Sequence, residues 1–541
     1  MAQQTGTEHA AAFLNGTMQE GEKCNLLRRL FSNCSYCSSP IGTGSRYFGF
    51  VSDQGIRCEK CGWVYCSDHV TYRCRGEGSV DHEEEKKKAD VPICQCCLDR
   101  EIWQARPEEI RNKITMFDSA VIIGTGMGGL ATALALKNRG VPSVTVLEKE
   151  SQLRTSGGAI NIQTNAMRAL LDIDSKVMAQ VFDTAGPLNG FGAFKTIDGA
   201  VLLASNLSTR KESRWGNPEG RSIIRGHLTQ ILYDRCVEVG VTFHFAKKVM
   251  KIDEEKEVGG IVTVTAATTT TSDEEDNTQE FSTEFIVAAD GIWSKVRQQV
   301  FPTAPAPQYV GYQMIVSVAA KDKFDQMSLD CWGESWGKGH RIGHFRCGEG
   351  GTAIYYARNA AAVDLDADKT QTELKQIVID STKEHGYDDN LVKLVSAADE
   401  SRVYLFPIKY MTPLKHHYSL NGRLVLMGDA ANGMPPNLGQ GGGMALESAS
   451  ILSQMLLSSS SLEEACQKYD TRRITRCSLI ADQSKQNGDL FQASNFATVA
   501  LRNNLFAYVG KQSRKQDSND LELDDPFAYL FNYRLMSWAQ S

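Results

Sequence analysis

A chain of 541 residues is too long for one compact core and implies several domains. Hydrophobic residues make up 42% and charged residues 23%, an ordinary globular balance. A net charge of -7 argues against a protein built to hold nucleic acid.

Residues 1–23 read as a flexible tail. They lack the basic start and apolar run of a secretory signal, which predicts a cytoplasmic protein. Ten of the 15 cysteines then fall between Cys24 and Cys97. Without a secretory signal, cysteines packed this densely read as metal ligands rather than disulfides. Their spacing gives four pairs: Cys34 and Cys37, Cys58 and Cys61, Cys66 and His69, Cys94 and Cys97. A two-residue gap lets a tight turn present both ligands to one ion, and eight ligands suffice for two tetrahedral zinc ions. Cys74 and Cys96 are alternative ligands or spare thiols. Residues 24–100 have little apolar core, so metal would supply much of their folding energy. Within them GEGSVDHEEEKKKAD reads as a solvated loop, and residues 101–117 read as a charged linker helix.

At Ser119 the pattern changes. SAVII predicts a strand, GTGMGG a turn, LATALALKNRG a helix and SVTVLEK a second strand. The 18 uncharged residues between Asp118 and Lys137 approach the length of a membrane span, but four of them are glycines gathered in a turn, which suits a βαβ unit better. In that setting each motif glycine has a task. Gly124 allows the tight turn, Gly126 lets a pyrophosphate reach the backbone, and Gly129 lets the helix pack on the strand. The phosphates would meet a helix N-terminus, where free amides and the helix dipole favour an anion. Glu148 closes the second strand, placed to accept hydrogen bonds from ribose hydroxyls.

A mixed α/β region follows to about residue 300. It includes a hairpin-like pair, GGIVTVTA and EFSTEFIVAAD, joined by a polar loop, TTTTSDEEDNTQE, that reads as disordered. Residues 303–415 alternate strand-like pieces and predict a separate sheet layer. Helical patterns dominate from about 440, continuing through a C-terminal helical region over 481–541. There are no internal repeats.

Two resemblances sharpen this reading. CEKCGWVYCSDH resembles the FYVE-type zinc finger, across about residues 30–100. That likeness implies a cross-braced site, with Cys34, Cys37, Cys66 and His69 on one ion and Cys58, Cys61, Cys94 and Cys97 on the other. The family's basic run before the third ligand is replaced by Asp53, Gln54, Gly55, Ile56 and Arg57. Phosphoinositide membrane binding is therefore not expected, and docking of a protein partner is. An endosomal location would follow only if the lipid did bind.

The second resemblance covers about residues 118–480. ADGIWSKVR, from Ala289 to Arg297, and LMGDAANGMPPNLGQG, from Leu426 to Gly441, resemble the flavoprotein monooxygenases of the aromatic-hydroxylase type, with zeaxanthin epoxidase the nearest branch. SGGAINIQTNAMRALLDID, SIIRGHLTQIL and YDTRRITR echo the same family. The resemblance implies a Rossmann-type FAD-binding domain over 118–480 with the sheet of 303–415 inserted as a substrate layer. Asp290 and Gly291 would serve the FAD pyrophosphate and nicotinamide cofactor use. Asp429 would hold the ribityl chain, Arg225 would lie near the flavin, and Pro436, Gly439, Gln440 and Gly441 would line the ring. The helix opening at GQGGG would turn free amides to the N1–C2=O end of reduced flavin. Asn432 stands where many members have His, and Ser448 where Asp often follows Glu447.

The implied activity is monooxygenation of a small electron-rich molecule with NAD(P)H and oxygen, through a flavin C4a-hydroperoxide. Tyr312, Trp332, Trp336, His344, Tyr355 and Tyr356 are candidates for the substrate face, though each taken singly reads more readily as core than as contact. Catalytic side chains are not assigned by the sequence. An FAD oxidase or dehydrogenase, and a zinc-module adaptor with a flavin sensor domain, are the alternatives.

Overall fold

The run Ser119–Ile123 is apolar because both of its faces are covered: Ala120 to Ile123 are all buried. It sits near the centre of a six-stranded sheet ordered Thr242–His244, Ser143–Leu147, Ser119–Ile123, Phe285–Ala288, Leu424–Leu426 and Ser419–Leu420. The first five run parallel, and only the last pair is antiparallel. The structure, a computed structural model, describes residues 112–188, 191–206, 220–254, 260–269, 277–320, 322, 332–414 and 418–515, together with the backbone of four short strands between Ile56 and Cys94.

The helix Met127–Asn138 follows the glycine turn, and every residue from Gly128 to Leu136 is buried. It is enclosed between the parallel sheet and the helix Gly441–Ser458, also buried along nearly its whole length. That double cover explains the uncharged run: it is a core helix, and among the described residues no helix is long and apolar enough to cross a membrane. Residues 112–117, expected within a linker helix over 101–117, carry no helix. They set Ile114 and Phe117 into the core, with Phe117 stacked on Phe285 at 5.0 Å. Residues 101–111 lie outside the described residues.

The expected hairpin is a three-stranded antiparallel sheet, Lys247–Glu254, Val262–Thr268 and Thr278–Thr283. The apolar end of EFSTEFIVAAD leaves it, because Phe285–Ala288 is fully buried as a parallel strand. The polar loop between the hairpin arms, residues 270–276, is outside the described residues.

The second layer is a seven-stranded sheet. Its order is Val201–Asn206, Phe191–Thr196, Trp332–Trp336, His340–Arg346, Thr352–Asn359, Gln308–Ala319 and Tyr404–Tyr410. The expected layer of 303–415 therefore also takes two strands from 191–206, joined through a parallel pairing of Phe191–Thr196 with Trp332–Trp336. One face packs Ile315, Ile342, Ile354 and Tyr356 against the helices Gln371–Glu384 and Asp389–Ser396. The other face carries Tyr312, Met314, Val316, Tyr355 and Arg341 toward the parallel-sheet half, and a Cβ on Gly158 would meet Val316 at 2.6 Å.

Near the N-terminus Ile56–Arg57 pairs with Val64–Tyr65, and Val70–Arg73 pairs with Val91–Cys94. Seven expected zinc ligands, Cys34, Cys37, Cys58, Cys61, Cys66, His69 and Cys97, lie outside the described residues. Cys94 is described only as the strand position opposite Val70. Among the described residues no cluster of metal-ligating side chains occurs.

Candidate active site

Between the two layers, the ends of three parallel strands and two helix N-termini converge. Gly124 has φ +102, and a Cβ there would lie 2.5 Å from Ala289 O, so only glycine lets the turn press against the neighbouring strand end. A Cβ on Gly129 would lie 2.0 Å from Gly124 O, which is the close helix–strand contact the motif requires. Gly126 differs. Its nearest neighbour would be Ala289 O at 3.9 Å, so it faces open space. Gly291, at φ +82, has nothing within 4 Å, and Gly441 only Met434 Cγ at 4.0 Å. Packing fixes the first two glycines, and the other three face open space.

Glu148 Oε2 accepts hydrogen bonds from the Thr125 amide at 2.8 Å and hydroxyl at 2.6 Å, and Oε1 accepts from the Glu150 amide at 3.0 Å. The carboxylate thus also braces the glycine turn, and Oε1 keeps one free lone pair. Thr125 was not singled out in the sequence, although it lies inside the motif.

Asp290 Oδ2 accepts from the amides of Lys295 at 2.9 Å and Val296 at 3.3 Å, while its Oδ1 is buried without a partner. Burial raises its pKa, against the lowering effect of Ser294. Arg297 ties this segment to the GD segment, donating to Ala431 O at 2.7 Å and Thr412 O at 3.2 Å. Asp429 is exposed to solvent, with protein crowded about its carboxyl. Enclosure raises its pKa and the nearby Arg225 opposes that rise. Arg225 opens the helix Arg225–Glu238, with Gly157 against its guanidinium. Burial and Arg154 lower its pKa, and Asp429 supports its charge.

The turn Pro436–Leu438 and Gly439, left-handed at φ +61, lead into the helix Gly441–Ser458, whose first turn has no side-chain cap and no acidic residue. Its amides are left for a ligand. Gln440, expected to line the ring, turns its side chain into the protein instead and is 1% exposed.

Of the substrate-face candidates, Tyr312, Trp332, Trp336 and Tyr355 share the sheet face toward this turn, whereas His344 and Tyr356 fall on the opposite face by strand alternation. Two residues not singled out complete the near face. Arg341 Nη1 donates to Glu334 at 2.8 Å, Arg341 Nη2 donates to Asn437, and Asn437 Nδ2 donates to the Tyr312 hydroxyl at 2.9 Å. The Tyr355 hydroxyl bonds Glu334 and is pushed far up by burial and that carboxylate.

Comparison with known proteins agrees with this geometry. The profile of a family described as FAD binding domain matches residues 118–484. Aurachin C monooxygenase/isomerase from Stigmatella aurantiaca is 28% identical over 390 residues, which is 72% of this chain and 93% of that protein. Chloroplastic zeaxanthin epoxidase from an Oncidium hybrid cultivar is 30% identical over 366 residues, 66% of this chain and 51% of its own length. The chain thus spans about half the length of the zeaxanthin epoxidases it matches. Among solved structures, Klebsiella pneumoniae HpxO complexed with FAD and uric acid superposes with a TM-score of 0.62 at 21% identity, covering 77% of this chain and 98% of that one. At that identity the likeness speaks for the fold.

Proposed function

The chain belongs to the FAD binding domain family, and we propose that it is an FAD-dependent monooxygenase that uses NAD(P)H and oxygen to hydroxylate or epoxidise a small electron-rich molecule. The observation that carries this is the open space beside Gly126, Gly291 and Gly441, together with two helix N-termini that lack a side-chain cap and the buried Asp290 Oδ1 left without a partner. These residues fit FAD. Gly126 and the amides of the Met127 helix would take the pyrophosphate, Glu148 the adenosine ribose, Asp290 the pyrophosphate region, Asp429 the ribityl chain, and the 436–441 turn with Arg225 the ring.

Bound FAD supplies the redox chemistry of hydride acceptance and oxygen activation. The chain's own residues orient and shield. The free amides of Gly441 and Gly442 stabilise negative charge at the edge of the ring. Arg225 adds a positive charge across the cleft from Asp429. Tyr312, Met314, Val316 and Tyr355 offer an apolar, water-excluding wall for the substrate, with Arg341 and Glu334 fixing polar groups at its margin. The relatives' monooxygenase activities support this class over an oxidase or dehydrogenase.

Purified protein is expected to be yellow, to release FAD on denaturation, and to incorporate oxygen into product during NADPH oxidation, read by mass spectrometry. A colourless chain that cannot be reconstituted rules the proposal out.

Residues 24–100 form, in the same proposal, a two-zinc module that docks a protein partner and leaves the enzyme in the cytoplasm. The paired spacing of its eight ligands supports this. Elemental analysis is expected to give two zinc ions per chain, and Cys61→Ala to lose metal without altering the flavin spectrum. Protein purified without chelators and free of zinc would refute it.

A further inference from the structure

Two further family-like segments, YDTRRITR and the Gln163–Asn165 stretch, converge behind the 436–441 turn. Glu447, 0% exposed, sits on the helix Gly441–Ser458 and faces two arginines of the helix Leu462–Phe491. Arg473 Nη1 donates to Glu447 Oε2 at 2.7 Å, Arg476 Nε donates to the same oxygen at 2.8 Å, and Arg476 Nη2 donates to Oε1 at 2.6 Å. Burial alone would favour the protonated acid, but Arg476 and Arg473 overcome it and hold the carboxyl down at about 2. The two arginines therefore favour the carboxylate over the acid.

That charge has a third partner. Asn165 Nδ2 donates to Glu447 Oε1 at 2.6 Å and to Gln440 Oε1 at 2.9 Å. Gln440 Nε2 returns a bond to Gln163, and Gln163 Nε2 donates to Leu438 O at 3.0 Å. A continuous chain therefore runs from the arginine pair through Glu447 and Asn165 to Gln440 and the carbonyl of Leu438. Every side chain from Arg473 to Gln440 is buried. The turn it holds contains two residues of special geometry, Gly439 at φ +61 and the uncapped Gln440, and it sets the direction of the amides that follow.

We propose that Glu447 and Asn165 are positioning residues for the flavin ring: clamped by Arg473 and Arg476, they fix Gln440 from behind so that the first-turn amides of its helix are aimed at the ring. The inference rests on the FAD reading above. It assigns a role to YDTRRITR and to the Gln163–Asn165 segment, which the cofactor contacts themselves leave unused. It also explains Ser448, where the family often has Asp: its hydroxyl accepts from Arg473 Nε at 3.0 Å, a bond that places the guanidinium without a second carboxylate.

Asn165→Leu is the informative change, because it cuts the link to Gln440 and leaves the ion pairs of Glu447 in place. Glu447→Gln weakens the clamp itself, and the two are combined in a double-mutant cycle. Affinity for FAD is measured by titrating apoprotein, the visible spectrum of the bound flavin is recorded, and apoprotein melting is followed separately. Asn165→Leu removes the bonds to both Glu447 and Gln440 and is expected to bind FAD about tenfold more weakly, with a shifted flavin spectrum. The double variant should be no worse than the weaker single. Unchanged FAD affinity and spectrum with only a lower melting point would overturn the assignment, as would fully additive losses. A wild-type chain that takes up no FAD would overturn the proposed function as well. Should Glu447→Gln fail to fold, Asn165→Leu alone decides through affinity and spectrum.

Discussion

The two halves of the catalytic region are built on opposite principles. The parallel-sheet half makes its site from backbone: glycines, helix N-termini and strand ends. The seven-stranded half makes its wall from side chains set by cross-strand register, where Glu334, Gly343, Tyr355 and Val316 stand in one row across four strands. A backbone site tolerates almost no added atoms, whereas a side-chain wall can change its chemistry one residue at a time. That contrast teaches where such an enzyme can vary and where it cannot.

The sharpest way to break the comparison is within the glycines. Gly129→Val drives a branched side chain into Gly124 O, at 2.0 Å from the Cβ, and is expected to abolish folding of the parallel half, seen as loss of the cooperative melt. Gly126→Val faces open space and should leave the apoprotein melt near wild type while abolishing FAD uptake. If both variants behave alike, the division into packed and open glycines is wrong.

On the sheet side the largest effect belongs to the buried pair Arg341 and Glu334, both under 10% exposed. Arg341→Met leaves a buried carboxylate without its cation and is expected to cost about 3–5 kcal/mol, read by urea denaturation. A cost near zero would show that water reaches the pair.

Acid should then separate the halves. His340 lies against Tyr387, and burial, His385 and Arg502 lower its pKa from 6.5 to about 4. The unfolded state binds more protons between those values, so stability falls as pH drops from about 6.5 to about 4. Glu447 has the opposite charge type, depressed from 4.5 to about 2, and its contribution is complete above 4.5 and lost only as pH falls toward 2. The antiparallel half is expected to loosen first on acidification. His340→Gln should flatten the stability profile between pH 6.5 and 4, and an unchanged slope would count against this order. The smallest effect is expected at Val363, 90% exposed, where Val363→Thr should stay within about 0.5 kcal/mol of wild type.

The same contrast decides what could be read from the sequence. Gly124, Gly126, Gly129 and Glu148 were legible because a backbone site is written locally: the turn, the strand and the helix it needs are neighbours in the chain. Asp290 and Asp429 were legible only through family resemblance, since nothing local brings strand Phe285–Ala288 beside Leu424–Leu426. Arg341 and Glu334 were not legible at all. Their meaning depends on a register between strands, and either residue alone reads as a surface charge. Gln440 turns its side chain into the protein, toward Asn165 and Gln163, which the sequence did not reveal, because a motif fixes where a residue stands and not which way its side chain points. The short Phe191–Thr196 and Val201–Asn206 strands escaped the expected layer because their partner, Trp332–Trp336, is far along the chain.

That interleaving has a consequence for how the protein is made. Ser119–Ile123 emerges early from the ribosome, yet the parallel sheet is completed only by Leu424–Leu426, after the whole seven-stranded layer except its contacts to the last helices has been synthesised. The glycine turn must wait, with its apolar helix uncovered, until the Gly441–Ser458 helix arrives to shield it. A complete cofactor site therefore forms late in synthesis, and the nascent chain passes through a long interval in which this apolar helix is unshielded and open to misassociation.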